Sequence, residues 1–204
     1  MTIDVKKEYR ELYAPKPDDF VLVDVPTLTY LAVDGHGDPN VSEDHAAAVQ
    51  ALYSAAYAVK FASKAVGLDF VVGPLEGLWT SADPTAFVDR RKAEWDWTML
   101  IHLPAAVAAD SLAAGVAAAR AKKPALPLER VDVRQLTEGP SLQILHVGSY
   151  DDEGPTLARL HDTVMPERGL TFNGPHHEVY LGDPRRVPPE RLRTVLRQPV
   201  RPAD

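Results

Sequence analysis

An order of strand, strand, helix, strand, strand occurs twice along the chain, and this repetition constrains the fold more than any other feature. In the first copy, Phe20–Val25 and Thr27–Val33 have the alternation and Val content of strands, with Pro26 breaking them apart and Asp34-Gly35 closing the second. A helix is predicted from about Val41 to about Lys64. Asn40 with Glu43 reads as a capping box, and Val49, Leu52, Tyr53, Ala56 and Val59 form one apolar face. Strands follow at Phe70–Trp79 and Glu94–Leu103, with a turn or short helix over Pro84–Arg91 between them. On the last of these, Trp95, Trp97, Met99, Ile101 and Leu103 fall on one face, because strand side chains alternate.

The second copy has strands at Arg130–Leu136 and Leu142–Val147, joined through Gly139-Pro140. Its helix runs from Asp152 to about Glu167 with Leu157, Leu160 and Val164 inward, and strands follow at His176–Leu181 and Arg191–Gln198. Gly73-Pro74 leading to Gly77-Leu78-Trp79 matches Gly174-Pro175 leading to Glu178-Val179-Tyr180, with one residue inserted. The predicted class is α+β, a tandem pair of strand-helix-strand-strand modules with pseudo-two-fold symmetry. Paired modules of this kind commonly enclose a ligand, so a central cleft is expected. The modules are expected at 19–104 and 124–204, linked by an alanine-rich helix within 105–123. Residues 1–18 read as a polar extension with a helical turn around Tyr9, Leu12 and Tyr13.

Composition narrows the partners. Net charge is −7, from 22 basic and 29 acidic residues, which disfavours nucleic acid and anionic lipid and favours cations. Arg185, Arg186, Arg191, Arg193 and Arg197 read as a solvated basic patch. There is no cysteine, which removes disulfides, thiolate metal sites and cysteine nucleophiles. Met1–Arg10 has no apolar signal core, and no apolar run approaches the ~20 residues that span a bilayer. A cytoplasmic monomer without cofactor is expected. His176 and His177 are adjacent on a strand and point to opposite faces, and no HExxH spacing occurs, so no metal site is expected.

Five segments appear in a specific order: Tyr53–Lys60 (YSAAYAVK), Pro74–Trp79 (PLEGLW), Trp95–Thr98 (WDWT), Gln143–Glu153 (QILHVGSYDDE) and His177–Leu181 (HEVYL). Together they resemble the stand-alone GyrI-like proteins, from about Tyr13 to Pro199. The resemblance implies a tandem-module fold around a cleft. In related regulator domains a buried glutamate among aromatic rings receives lipophilic cations. Some stand-alone members are similar to enzymes that open the cyclopropane of DNA-alkylating natural products with water. No helix-turn-helix like that of the regulators is read in the sequence, so direct transcriptional control is not expected.

On that resemblance Glu178 is the first choice for the central acid, with Tyr180 beside it on the same strand face. Glu76 competes for the role, its other reading being a turn-fixing acceptor. Trp79, Trp95 and Trp97 are read as ligand walls, since indole faces attract cations by about 0.5–2 kcal/mol. Tyr53 and Tyr57 lie one helical turn apart, with Tyr57 offering its hydroxyl to the ligand and Lys60 solvated or paired. His146 and Tyr150 complete the candidate lining, although His146 also reads as a core-satisfied histidine. Asp151-Asp152-Glu153 reads as helix capping. Two functions remain open. One is binding of lipophilic cationic or polyaromatic small molecules. The other is hydrolysis of cyclopropane-bearing electrophiles, with Glu178 as general base and Tyr57 or Tyr180 polarising the substrate oxygen.

Overall fold

Residues 2–83 and 85–203 are described in the computed structural model of the chain. Pro84, expected to open a turn or short helix, lies outside them. In chain order the elements are α1 (Val5–Glu8), α2 (Arg10–Tyr13), β1 (Val21–His36), α3 (Glu43–Ala65), β2 (Leu75–Thr80), α4 (Thr85–Val88) and β3 (Asp96–Leu103). There follow α5 (Ala109–Lys122), β4 (Asp132–Val147), α6 (Gly154–Arg159), a π-helical turn (Leu160–Val164), α7 (Met165–Glu167), β5 (Leu170–Phe172), β6 (His176–Tyr180) and β7 (Arg193–Pro202). The class is α+β, as expected.

Two compact units form. One holds Met1–Glu8 and Leu28–Leu136, the other Tyr9–Thr27 and Thr137–Asp204. No helix among the described residues is long and apolar enough to cross a membrane.

In the first unit β3 lies between β1 and β2, antiparallel to both, with Val33 opposite Met99 and Gly77 opposite Met99 on the other side. The core behind this sheet is supplied by α3, which buries Leu52, Ala55, Ala56 and Val59. Helix α5 packs on α3 at Gly115. A Cβ there would lie 2.5 Å from the Val59 Cα, so only glycine permits this approach. The alanine-rich helix is therefore a packed part of the first unit.

In the second unit β7 lies between β4 and β6, again antiparallel, and also pairs with β5. Leu142, Ile144 and Leu196 from these strands meet Leu160, Val164 and Met165 from the helical segment, with Phe20 and Val200. Leu157, Leu160 and Val164 face inward as the helical spacing predicts. The helix is not regular, however. Pro166 lacks an N–H and its ring crowds the preceding turn, and the backbone widens to π geometry over Leu160–Val164 just before it.

Several sequence expectations are corrected. Pro26 and Pro140 do not break strands: β1 and β4 each run through 16 residues. The ladder with β3 begins at Thr29 and that with β7 at Ser141, so neither ladder needs an N–H from proline. The capping box fails because Asn40 is bonded to Asp38 at 2.9 and 3.0 Å. Ser42 caps α3 instead, accepting from the His45 N–H at 3.1 Å. The segment read as an extension is packed in part, since Val5, Leu12 and Tyr13 are buried, and its helical turn forms at Arg10–Tyr13.

Candidate functional site

Strand alternation on β6 places His176, Glu178 and Tyr180 on one face, and Val179 and His177 on the other. Glu178 lies opposite Leu196 in the ladder, so its face is the one that packs under the helical segment. The Glu178 side chain is 14% exposed. Its Oε2 accepts a hydrogen bond from the Tyr180 hydroxyl at 2.7 Å, and its Oε1 lies 3.5 Å from His176 Nε2. A carboxylate so far out of water requires such partners.

Tyr150 joins this group from the turn before α6. Its ring meets that of Tyr180 edge to face, at 5.6 Å between centroids and 75°. Burial, and then the carboxylates of Glu153, Glu178 and Asp183, push the Tyr150 phenol up to about 12. The residue as a whole is nonetheless 37% exposed. Glu153 is buried nearby and makes no side-chain capping bond, in contrast to the capping expected of it. Asp152 accepts from the Ser149 hydroxyl at 2.7 Å. His146 shares the Tyr180 face through Thr194, and its Nε2 is 3.1 Å from the Ser149 carbonyl, a satisfied histidine.

The sequence did not single out His161. It lies in the π-helical turn with its ring against Phe172, 5.0 Å between centroids. Burial, and then the charge of His176, depress its pKa to about 4, against the opposing effect of Asp162. A regular helical repeat gives no reason to notice this residue, whereas π turns often mark functional places.

The other sequence candidates belong to the first unit. Glu76 is fully buried and lies opposite Leu100, on the face of the sheet that also carries Tyr30 and His102. Trp79 and Trp97 lie directly opposite one another on the other face. The sheet thus separates Glu76 from both of these indoles. Trp97 is 2% exposed, and its ring covers Gly35, where a Cβ would meet it at 2.0 Å. His45 closes its edge at 4.9 Å. Trp95 lies just before β3, which begins at Asp96 and not at Glu94 as the sequence pattern predicts. It closes a 3-10 turn instead, where its indole N–H donates to the Ala86 carbonyl at 3.3 Å. There it meets Trp79 at 5.7 Å and Phe87 at 5.1 Å, with the Lys92 ammonium 5.7 Å over its ring. Tyr53 and Tyr57 stack at 6.5 Å on α3, and Tyr57 is 49% exposed. Lys60 is paired with Asp69 at 3.1 Å.

Arg197, read from sequence as part of a solvated patch, is 1% exposed. Its guanidinium bonds Glu138 at 3.1 Å, Gln143 at 3.0 Å and the Leu12 carbonyl at 3.0 Å. His177 bonds the other Glu138 oxygen at 2.9 Å. Burial alone would raise the Glu138 pKa, but His177 and then Arg197 outweigh it and hold the carboxyl at about 2. This network on the reverse face of β6 is structural. Among the described residues no group of three or more His, Cys, Asp or Glu side chains is placed to hold a metal ion.

No curated protein matches the chain. A crystal structure of an uncharacterized conserved protein from Listeria innocua is 38% identical, with a TM-score of 0.89, and the match covers 98% of this chain and 100% of that one. A crystal structure of a hydrolase from Listeria innocua is also 38% identical, with a TM-score of 0.84 and the same coverage. The C-terminal domain of EcmrR shares the fold at 10% identity, with a TM-score of 0.57 over 91% of this chain and 98% of that one. The GyrI-like small molecule binding domain family matches residues 18–201, and the chain belongs to that family.

Proposed function

We propose that the chain is a small-molecule hydrolase that opens bulky aromatic electrophiles with water, using Glu178 as general base. The observation that carries this reading is the Glu178 carboxylate, mostly out of water, oriented by the Tyr180 hydroxyl at 2.7 Å. Its full-length likeness to a hydrolase at 38% identity favours chemistry over binding alone.

For a cyclopropane fused to a dienone, the steps balance with one water. Glu178 takes a proton as the water oxygen bonds the cyclopropane carbon. The carbon–carbon bond breaks, and its electron pair moves into the dienone, which becomes a phenol. Tyr150 is suited to polarise the dienone oxygen, because its hydroxyl stays protonated to about pH 12. Tyr180 is less suited, since its proton is given to Glu178. Tyr57, the other sequence candidate, is exposed on α3 of the first unit, whereas Tyr150 and Glu178 share a unit. The proton held by Glu178 returns to the new phenol oxygen, so the product is substrate plus water.

A second reading is binding of lipophilic cations without chemistry. It is favoured by Lys92, which already sets an ammonium over Trp95. Product analysis separates the two. Incubation with a spirocyclopropyl dienone and detection of the water adduct supports the hydrolase. Recovery of unchanged compound with a binding signal supports the binder.

A further inference from the structure

His176 and His161 form a second polar group beside Glu178 within the same unit. His176 is 13% exposed and lies two residues before Glu178 on the same strand face. Among the described residues, both ring nitrogens of His176 and Nε2 of His161 are buried without a hydrogen-bond partner. The imidazoles are close enough for His176 to act electrostatically on His161. Buried polar atoms without hydrogen bonds cost stability, and the Glu178 oxygen 3.5 Å from His176 Nε2 does not hydrogen-bond it.

The chemistry of the pair limits what fits it. His161 is uncharged at neutral pH, with its pKa near 4. A neutral imidazole offers one donor and one acceptor. An anion here is repelled by Glu178, and a cation finds its partner at Glu178 itself. A group that donates and accepts at once, such as a hydroxyl or a carboxamide, satisfies both rings. Along β6 the distance from His176 to Tyr180 is about 13 Å, at 3.3 Å per residue. Phe172 at one end and the Tyr150–Tyr180 pair at the other supply apolar surface for a ring.

We propose that His161 and His176 are a subsite for the hydroxyl or carboxamide of an aromatic ligand, on the imidazole side of Glu178. The inference rests on reading the β6 face as the place where the small molecule binds, and it names a specificity element there. Turnover is not needed to test it.

The test uses the full-length protein labelled with 15N-histidine. Long-range proton–nitrogen spectra are recorded with phenol, benzamide or toluene at equal concentrations. Phenol and benzamide are expected to move the ring-nitrogen signals of both His161 and His176, while toluene leaves them in place. His176→Phe is expected to weaken phenol binding about tenfold, the scale of one hydrogen bond. Should that variant fail to fold, His161→Leu serves the same purpose, and the three-compound comparison on the unmodified protein decides by itself. Equal shifts with toluene, or no shift with any compound, overturn the subsite. Absence of any water adduct from a spirocyclopropyl dienone overturns the hydrolase reading instead and does not alter these spectra.

Discussion

The Tyr180 hydroxyl donates to the Glu178 carboxylate at 2.7 Å from two residues along the same strand. The bond fixes one carboxylate oxygen and leaves the other facing His176. Hydrogen bonds to a charged group contribute about 1.5–3 kcal/mol. Tyr180→Phe keeps a ring against Tyr150 and removes the hydroxyl that makes this bond. Hydrolysis is expected to fall about tenfold to a hundredfold in kcat/KM, with the thermal midpoint nearly unchanged. An equal loss in stability and activity would make the bond merely structural.

Tyr150 sets an alkaline limit. Its pKa is raised to about 12, so the folded state holds this proton more tightly than the unfolded chain. Its contribution to stability is therefore complete below about pH 10 and is lost as pH rises toward 12. Activity that depends on the protonated hydroxyl is expected to persist past pH 10. Ultraviolet titration of tyrosinate in the protein and in Tyr150→Phe should differ by one group, ionising near pH 12.

Glu138 gives the acid counterpart. Its folded pKa is held at about 2, below the ordinary 4.5. The linkage sign is the reverse: the stabilisation is present above about 4.5 and is lost as pH falls toward 2. Denaturant unfolding between those limits should show stability declining by about 2–4 kcal/mol. Glu138→Gln should be less stable at neutral pH, because it removes the carboxylate charge that faces the buried Arg197 guanidinium. It should also show a flatter acid decline.

Gly115→Ala is expected to destabilise the protein by about 1–3 kcal/mol, the scale of overpacking. Helix propensity alone favours alanine by about 1 kcal/mol. The added Cβ would press on Val59 backbone atoms at 2.5 and 2.6 Å, which cannot rotate away. A raised thermal midpoint would show that α3 and α5 can separate.

Period-two alternation made Glu178 and Tyr180 readable as a pair from sequence, and helical spacing placed Leu157, Leu160 and Val164 correctly. Other features depend on contacts between distant segments. Nothing local to Arg197 announces Glu138, Gln143 and the Leu12 carbonyl, so a basic series looked solvated. Trp97 fell on the expected face, but only its pairing with Gly35 shows that the ring is sealed. The strand that carries Trp97 begins at Asp96 and not at Glu94, because one turn of 3-10 helix precedes it. His161 escaped notice because a 3.6-residue period contains no π turn.

Glu178→Gln keeps the shape of the side chain and removes the base. With a spirocyclopropyl dienone, the unmodified protein should form the water adduct, and the variant should form it about 10²–10⁴-fold more slowly. Equal rates of adduct formation by the two proteins, both above the rate in buffer, would contradict the account.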